Sequence, residues 1–401
     1  MKNPSKYLNK ELEYLKKVLK SKSWSSTSGP WVQALEKAFA AKFQSNYAVA
    51  MNSGTATLHA ALEAVGVKSG DEVISPALTV IMDTTATLHA NAVPVYADID
   101  PATWNINPTD IENKITAKTK AIIVVSLYGL PADMDKIMSI ANQYNVAVIA
   151  DNAQCFLPAS EESLRSTLGH VSSWSFENSK HMSCGEGGII TTDDPVIAQM
   201  ARKVAGHGYK NLGPSYGQIK LNQSVYQDPA YKRHDEIGWN YRLSEFSAAI
   251  ALAQLEELES KVTLRQKSAR LFLDVIGDCS YLVPQFTPNG FDHSYFTLGL
   301  RYDGAQILGV SWQEFREKNV SYGGDGFYGA WSVPYLEPVM TSRKFAKRNP
   351  YIYENVYYNK GICPVAESLQ PKLMQLKTNY RDLKLAQEKA TALRKTIEFF
   401  T

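Results

Sequence analysis

The chain has 401 residues, 44% of them hydrophobic and 20% charged, with 42 basic and 40 acidic side chains and a formal net charge of +2. These values fit a soluble globular protein of two or three domains, and the near balance of charge excludes the basic excess of a dedicated nucleic-acid binder. Four widely separated cysteines (Cys155, Cys184, Cys279 and Cys363) offer neither a disulfide framework nor a structural metal site, and no metal is expected.

The first stretch, "MKNPSKYLNKELEYLKKVLKS", is charged throughout. No secretory leader is read there, no apolar run reaches membrane-spanning length, and a cytoplasmic location is expected. Leu8, Leu12, Leu15, Val18 and Leu19 fall at helical spacing. "GPWVQALEKAFAAKF" predicts a second helix with Pro30 near its start. From Tyr47 onward, short apolar runs alternate with helical stretches: "YAVAM" and "TATLHAALEAV", "DEVIS" and "VIMDTTATLHAN", "VPVYADI" and "PTDIENKI", "KAIIVVSL" and "DMDKIMSIANQY", then "VAVIAD", which ends at Asp151. "VSSWSF" and "GGIITT" follow close together. The alternation predicts an α/β fold with a mostly parallel central sheet and flanking helices on both faces, because strands covered on both sides read as continuous apolar runs.

Residues 206–237 are polar, rich in glycine and tyrosine and without periodicity, as expected of a loop that serves a site or an interface. "SEFSAAIALAQLEELESKVTLRQKSARLFLDVI" is expected to be one long helix leading into a smaller C-terminal α+β domain, and "DLKLAQEKATALRKTIEFF" closes the chain as a helix. The division expected is a large α/β domain over 1–250 and a small one over 251–401.

Three features fall at the carboxyl ends of predicted strands, where open parallel sheets bind ligands. In "NSGTATLHAAL", Ser53, Gly54 and Thr55 open a helix whose free N–H groups suit a phosphate. Asp151 ends the fifth apolar run, with Gln154 one helical turn on. Lys180 lies just beyond "VSSWSF". Each has an ordinary reading on its own: a helix cap, a turn residue, a solvated charge. Together they are the parts needed to hold pyridoxal 5′-phosphate. The lysine forms a Schiff base with the aldehyde, the carboxylate pairs with the pyridine nitrogen, and the helix start takes the phosphate.

These motifs carry a family likeness. "GPWVQALEKAFA", "AVAMNSGTATLHAAL", "AVPVYADIDPATWNI", "KAIIVVSLYGLPADMD", "DNAQ", "SFENSKHMSCGEGGIITTDD", "GWNYRLSEFSAAIALAQL" and "CPVAE" resemble the DegT/StrS sugar aminotransferases, enzymes of fold type I that depend on pyridoxal phosphate. The match runs almost the whole length, and Lys180 falls five residues before the first glycine of "GEGG", in the family's register. The resemblance implies that Lys180 is the catalytic lysine, with His181 its neighbour and not its substitute. Gly54, Thr55 and Ser175 hold the phosphate, Asp151 meets the ring nitrogen, and Gln154 lies near the phenolic oxygen. Asn240 reaches the phosphate from the second subunit of a homodimer with shared active sites.

The activity implied is amino transfer, from an amino-acid donor expected to be L-glutamate, onto a keto or aldehydo sugar in polysaccharide biosynthesis. A nucleotide-linked 4-keto-6-deoxyhexose is the first expectation, and an 8-oxo eight-carbon keto acid sugar or a cyclitol are alternatives. Some relatives are dehydratases with histidine in place of the lysine, and a non-catalytic binding protein on the same scaffold is a third reading. Two stretches depart from the family. Val80 stands where an aromatic residue often covers the cofactor ring, and "YGGDGFYGAWSVPYLEP" lacks the usual histidine-containing segment. Gly323 to Tyr335, with Phe327, Tyr328 and Trp331, is therefore expected to set substrate choice.

Overall fold

A computed structural model describes residues 9–156, 169–217 and 221–401. Seven strands form the central sheet: β1 (Tyr47–Met51), β2 (Glu72–Pro76), β3 (Val93–Ala97), β4 (Thr119–Val125), β5 (Ala147–Asp151), β6 (Val171–Ser175) and β7 (Gly188–Thr192). Their spatial order is β1-β7-β6-β5-β4-β2-β3. Strands β2 to β6 are mutually parallel, and β7 runs antiparallel to both β6 and β1. The link from β6 to β7, residues 176–187, holds no helix, and so short a return allows only an antiparallel neighbour.

Numbering helices of seven or more residues, the sheet is accompanied by α1 (Asn9–Leu19), α2 (Trp31–Lys42), α3 (Gly54–Ala64), α4 (Met82–His89), α5 (Pro108–Lys114), α6 (Met134–Tyr144) and α7 (Pro195–Ala205). Alternate residues of the inner strands enter opposite layers, as the two-residue period of a strand requires. Ile122, Val124, Val148 and Ala150 pack with Met134 and Ile137 of α6. Ile123 and Ile149 pack with Ala60 and Ala61 of α3 on the other side.

The smaller C-terminal part holds an antiparallel sheet of β8 (Leu282–Pro284), β9 (Thr297–Tyr302), β10 (Tyr328–Gly329) and β11 (Leu373–Lys377), in the order β10-β11-β9-β8. Its core unites Phe272, Leu298, Leu300, Phe315, Met374 and Leu393. The helices here are α8 (Glu245–Glu256), α9 (Leu258–Ile276), α10 (Trp312–Ser321) and α11 (Leu383–Phe400).

Several local outcomes differ from expectation. The long helix is two helices, broken at Glu257, whose φ of −109° and ψ of 9° leave the helical region. Helix α8 packs on α1 and α2 while α9 packs on α11, so residue 250 falls inside a helix that sits on the large part. Residues 333–369 return to the edge of the large sheet. Tyr353 and Tyr358 donate to the carbonyls of Ala92 (3.1 Å) and Pro94 (2.6 Å) beside β3. The Asp98 carboxylate accepts from Val365 N–H (2.8 Å) and Ala366 N–H (2.9 Å), which anchors "CPVAE". In α1, Val18 is buried but Leu12 and Leu19 are exposed, and Leu8 lies outside the described residues. Residues 206–237, of which 218–220 are not described, are mostly turns, with one short helix, Gln223–Gln227, that buries nothing.

One long-range cap joins two of the sequence motifs. Glu245, at the start of α8, accepts from Trp31 N–H (2.7 Å) and Val32 N–H (3.0 Å) at the start of α2. A side chain at Gly29 would collide with that carboxylate, since its Cβ would lie 2.2 Å from Glu245 Oε2. "GPW" and "LSE" are thus two halves of one contact, of about 1–2 kcal/mol for a buried cap at a helix N-terminus.

Candidate active site

A cavity of about 510 Å³ opens at the carboxyl ends of β5 and β6. Gly54, Thr55, Asp151, Gln154, Ser175 and Lys180 all line it. Asn240 does not: it is exposed, bridged to Gly206, and its carbonyl accepts from Asn52 Nδ2 (3.3 Å).

The phosphate-sized corner is built by crowding. Ser53 caps α3 by accepting from Ala56 N–H (3.1 Å). The N–H groups of Gly54 and Thr55, in the first turn, have no intrahelical acceptor. Thr57 Oγ1 and Ser173 Oγ, 2.7 Å apart, tie α3 to β6. The helix start therefore lies hard against Ser175. A Cβ on Gly54 would come within 2.8 Å of Ser175 Cβ and 3.1 Å of its Oγ. Only glycine leaves that corner open.

Asp151 ends β5 and is held by Ala153 N–H at 2.9 Å. Burial raises its pKa above the usual carboxylate range, and the Ala153 N–H, the Lys180 charge and the Asp83 side chain act against that rise. Gln154 Oε1 accepts from Tyr128 N–H (2.9 Å). That bond fixes the amide, leaving the NH₂ end as the donor available to a ligand oxygen.

Lys180 is largely buried, with Nζ 4.6 Å from the centre of the Phe296 ring. Burial lowers its pKa below that of an ordinary lysine; Asp151 and Glu177 draw it back up, and Arg265 pushes it further down. A larger share of free amine at neutral pH is what a nucleophilic lysine needs. His181 faces elsewhere. Its Nε2 lies 2.9 Å from the Ser294 carbonyl, and burial holds its pKa well below the ordinary value, so it is a neutral core residue.

Sequence reasoning did not single out four contributors. The buried Arg265 of α9 donates to the carbonyls of Ser179 (2.9 Å), Lys180 (3.1 Å) and Phe296 (2.7 Å), fixing the lysine loop to the C-terminal part. Tyr128 lines the cavity from a left-handed backbone position, φ 59°. Phe296 and Gln375 also line it. Arg265, Phe296 and Gln375 meet the site only through the packing of the two parts, whereas Tyr128 follows β4 and reaches it from within the large part. Of the stretch expected to shape the substrate pocket, Ala330 and Trp331 line the cavity. Phe327 is buried in the small core and Tyr328 is 68% exposed. Leu78, Val80 and Met82 form an aliphatic wall.

A helix-start cradle, a carboxylate on the strand floor and a lysine with a lowered pKa in one cavity fit pyridoxal phosphate. Comparison with known proteins agrees: the DegT/DnrJ/EryC1/StrS aminotransferase family matches residues 6–386. The chain belongs to that family. It is 36% identical to GDP-perosamine synthase of Escherichia coli O157:H7 over 263 residues, 66% of this chain and 67% of that protein. It is 35% identical to L-glutamine:2-deoxy-scyllo-inosose aminotransferase of Streptomyces kanamyceticus over 307 residues, 75% of this chain and 70% of that protein. The solved structure of an aminotransferase from Psychrobacter cryohalolentis superposes with a TM-score of 0.84 at 26% identity, covering 100% of this chain and 99% of that one. The protein is a pyridoxal-phosphate-dependent aminotransferase of fold type I.

Gly54→Ala tests the cradle. The added methyl displaces Ser175 or the start of α3, so affinity for pyridoxal phosphate, measured by equilibrium dialysis, is expected to fall at least tenfold with the fold retained. Unchanged affinity would show that the phosphate sits elsewhere.

Proposed function

We propose that this aminotransferase moves an amino group from an α-amino acid, L-glutamate or its amide, onto the ketone of a nucleotide-linked keto-deoxy sugar. The observation that carries the proposal is the shared cavity of Lys180, Asp151 and the α3 cradle. Lys180 would be the nucleophile and, with its Nζ free, the base that takes the proton from the donor's Cα in the first half-reaction and the acid that delivers a proton to the acceptor carbon in the second. Asp151 is the anionic partner of the ring nitrogen, Gln154 donates to the phenolic oxygen, and Gly54, Thr55 and Ser175 hold the phosphate. The bound cofactor supplies an electron-withdrawing ring that takes up the electron pair left when that proton departs.

The acceptor is argued from the cavity mouth. Trp331, 55% exposed, and Gln375 add walls to the cavity from the C-terminal part. An aromatic face with one open side suits a sugar ring, and the nucleotide then leads outward. The dehydratase reading is disfavoured because Lys180 is in place. Such an enzyme belongs to amino-sugar and cell-surface polysaccharide synthesis, for which a cytoplasmic location is proposed. Among the described residues no helix is long and apolar enough to cross a membrane.

A half-reaction screen tests the activity. Enzyme carrying the amine form of the cofactor is mixed with candidate acceptors. Nucleotide-linked 4-keto-6-deoxyhexoses are expected to restore the aldehyde-form absorbance, and response to cyclitol ketones alone would overturn the assignment.

We also infer a homodimer with shared sites. Lys180 is the only basic side chain among the described residues lining the cavity; the start of α3 offers N–H groups to the phosphate, and the donor carboxylate still calls for a positive partner. Ile237, 75% exposed, lies near Asn240 in sequence, and Leu12, Leu19 and Trp24 are also exposed. Exposed apolar side chains are suited to contact with a second copy. Asn240 would enter the neighbouring cavity from that copy. Lys180→Ala and Asn240→Ala proteins are each expected to be weak or inactive. Mixed under conditions where subunits exchange, they regain activity, because one site in the heterodimer keeps both residues. Exchange without recovery would show that Asn240 does not act across the interface.

A further inference from the structure

Asp83 sits in the first turn of α4, is completely buried, and has no part in the chemistry above. Its Oδ2 accepts from Thr79 Oγ1 at 2.8 Å. Its Oδ1, also buried, meets no donor among the described residues. Asp83 and Asp151 are within hydrogen-bonding reach of one another. Two neighbours of Asp83, Thr79 and Met82, line the same cavity as Asp151.

Two adjacent buried carboxyls cannot both be ionised without large desolvation and repulsion costs. The environments differ in a way that decides which keeps a proton. Asp151 has the Ala153 N–H and faces Lys180. Among the described residues Asp83 has one hydroxyl donor and no cation acting on it: burial and the Asp151 charge both push its pKa well up, and the Thr79 hydroxyl only partly opposes them. The nearby Tyr96 phenol stays neutral, since burial raises its pKa too. As an ionised group, Asp83 would leave Oδ1 an unsatisfied buried acceptor. As an acid, that oxygen becomes a donor, and Asp151 is the acceptor beside it.

We propose that Asp83 is a positioning residue that keeps its proton and donates it to Asp151, so that the two buried carboxyls act as one singly charged pair behind the cofactor's ring nitrogen. This rests on the role given to Asp151 above. The Asp83 hydroxyl holds the Asp151 carboxylate in one orientation and keeps it ionised against the pull of burial. Asp151 then presents its negative charge to the ring, steadied by the Ala153 N–H and the Asp83 O–H.

The direct test is an infrared difference spectrum of cofactor-free protein at neutral pH, wild type minus Asp83→Asn. The proposal requires a protonated-carboxyl band in wild type that disappears in the variant. Absence of that band, or a band that survives Asp83→Asn but is lost in Asp151→Asn, would overturn it. Because no cofactor is present, this arm stands apart from the question of what Asp151 meets in the loaded enzyme. The second arm uses holoenzyme. Asp83→Asn, whose amide can still donate to Asp151, is expected to keep kcat within about threefold and the same visible cofactor band. Asp83→Ala is expected to lower kcat about 10–100-fold, the loss of one hydrogen bond to a charged group, with KM little changed. In an Asp151→Ala background the Asp83→Ala change should add no further loss. A lowered melting temperature with wild-type kcat and cofactor band in Asp83→Ala would make Asp83 a packing residue only and overturn the proposal. Should Asp83→Ala fail to fold, the infrared result and the Asp83→Asn kinetics still decide.

Discussion

The attraction between Lys180 and Asp151 across the ends of adjacent parallel strands is the constraint around which the site is arranged. Each group alone would be costly to bury, and each offsets part of the other's desolvation. The result is a lysine whose pKa is lowered and a carboxylate held by the Ala153 N–H. The sheet order makes the meeting possible. β5 and β6 are neighbours, so the end of one and the loop after the other face a common space.

The surrounding structure holds that pair in register. α3 presses its first turn against Ser175, which sets the cradle at a fixed height above the strand ends. Arg265 fixes the backbone of the lysine loop to the C-terminal part through three carbonyls. The C-terminal part then returns along β3 through Tyr353, Tyr358 and the Asp98 cap, and its strand edge brings Trp331 and Gln375 to the cavity mouth. The cavity lining thus comes mainly from the large part, with Phe296, Ala330, Trp331 and Gln375 added by the small one.

Much of the large part was legible in the sequence. All seven strands fall where the apolar runs place them, because buried parallel strands carry an unbroken apolar signal. Gly54, Asp151 and Lys180 were legible because each sits at a fixed offset from such a strand. The C-terminal part was less so. The break at Glu257 has no glycine or proline to announce it, and an apolar helical period runs straight through it. Asp83 was hidden inside a helical stretch, where an acid in the first turn reads as an ordinary helix-dipole residue. Arg265, Tyr128 and Phe296 belong to contacts across long sequence separations, and nothing local marks them.

The proposed chemistry depends first on covalent binding of the cofactor by Lys180. Borohydride reduction of the holoenzyme, followed by proteolysis and mass spectrometry, reads this directly. The account predicts a reduced pyridoxyl adduct on the peptide containing Lys180, and loss of that adduct in Lys180→Ala. An adduct on another lysine, with Lys180 unmodified, would contradict the account.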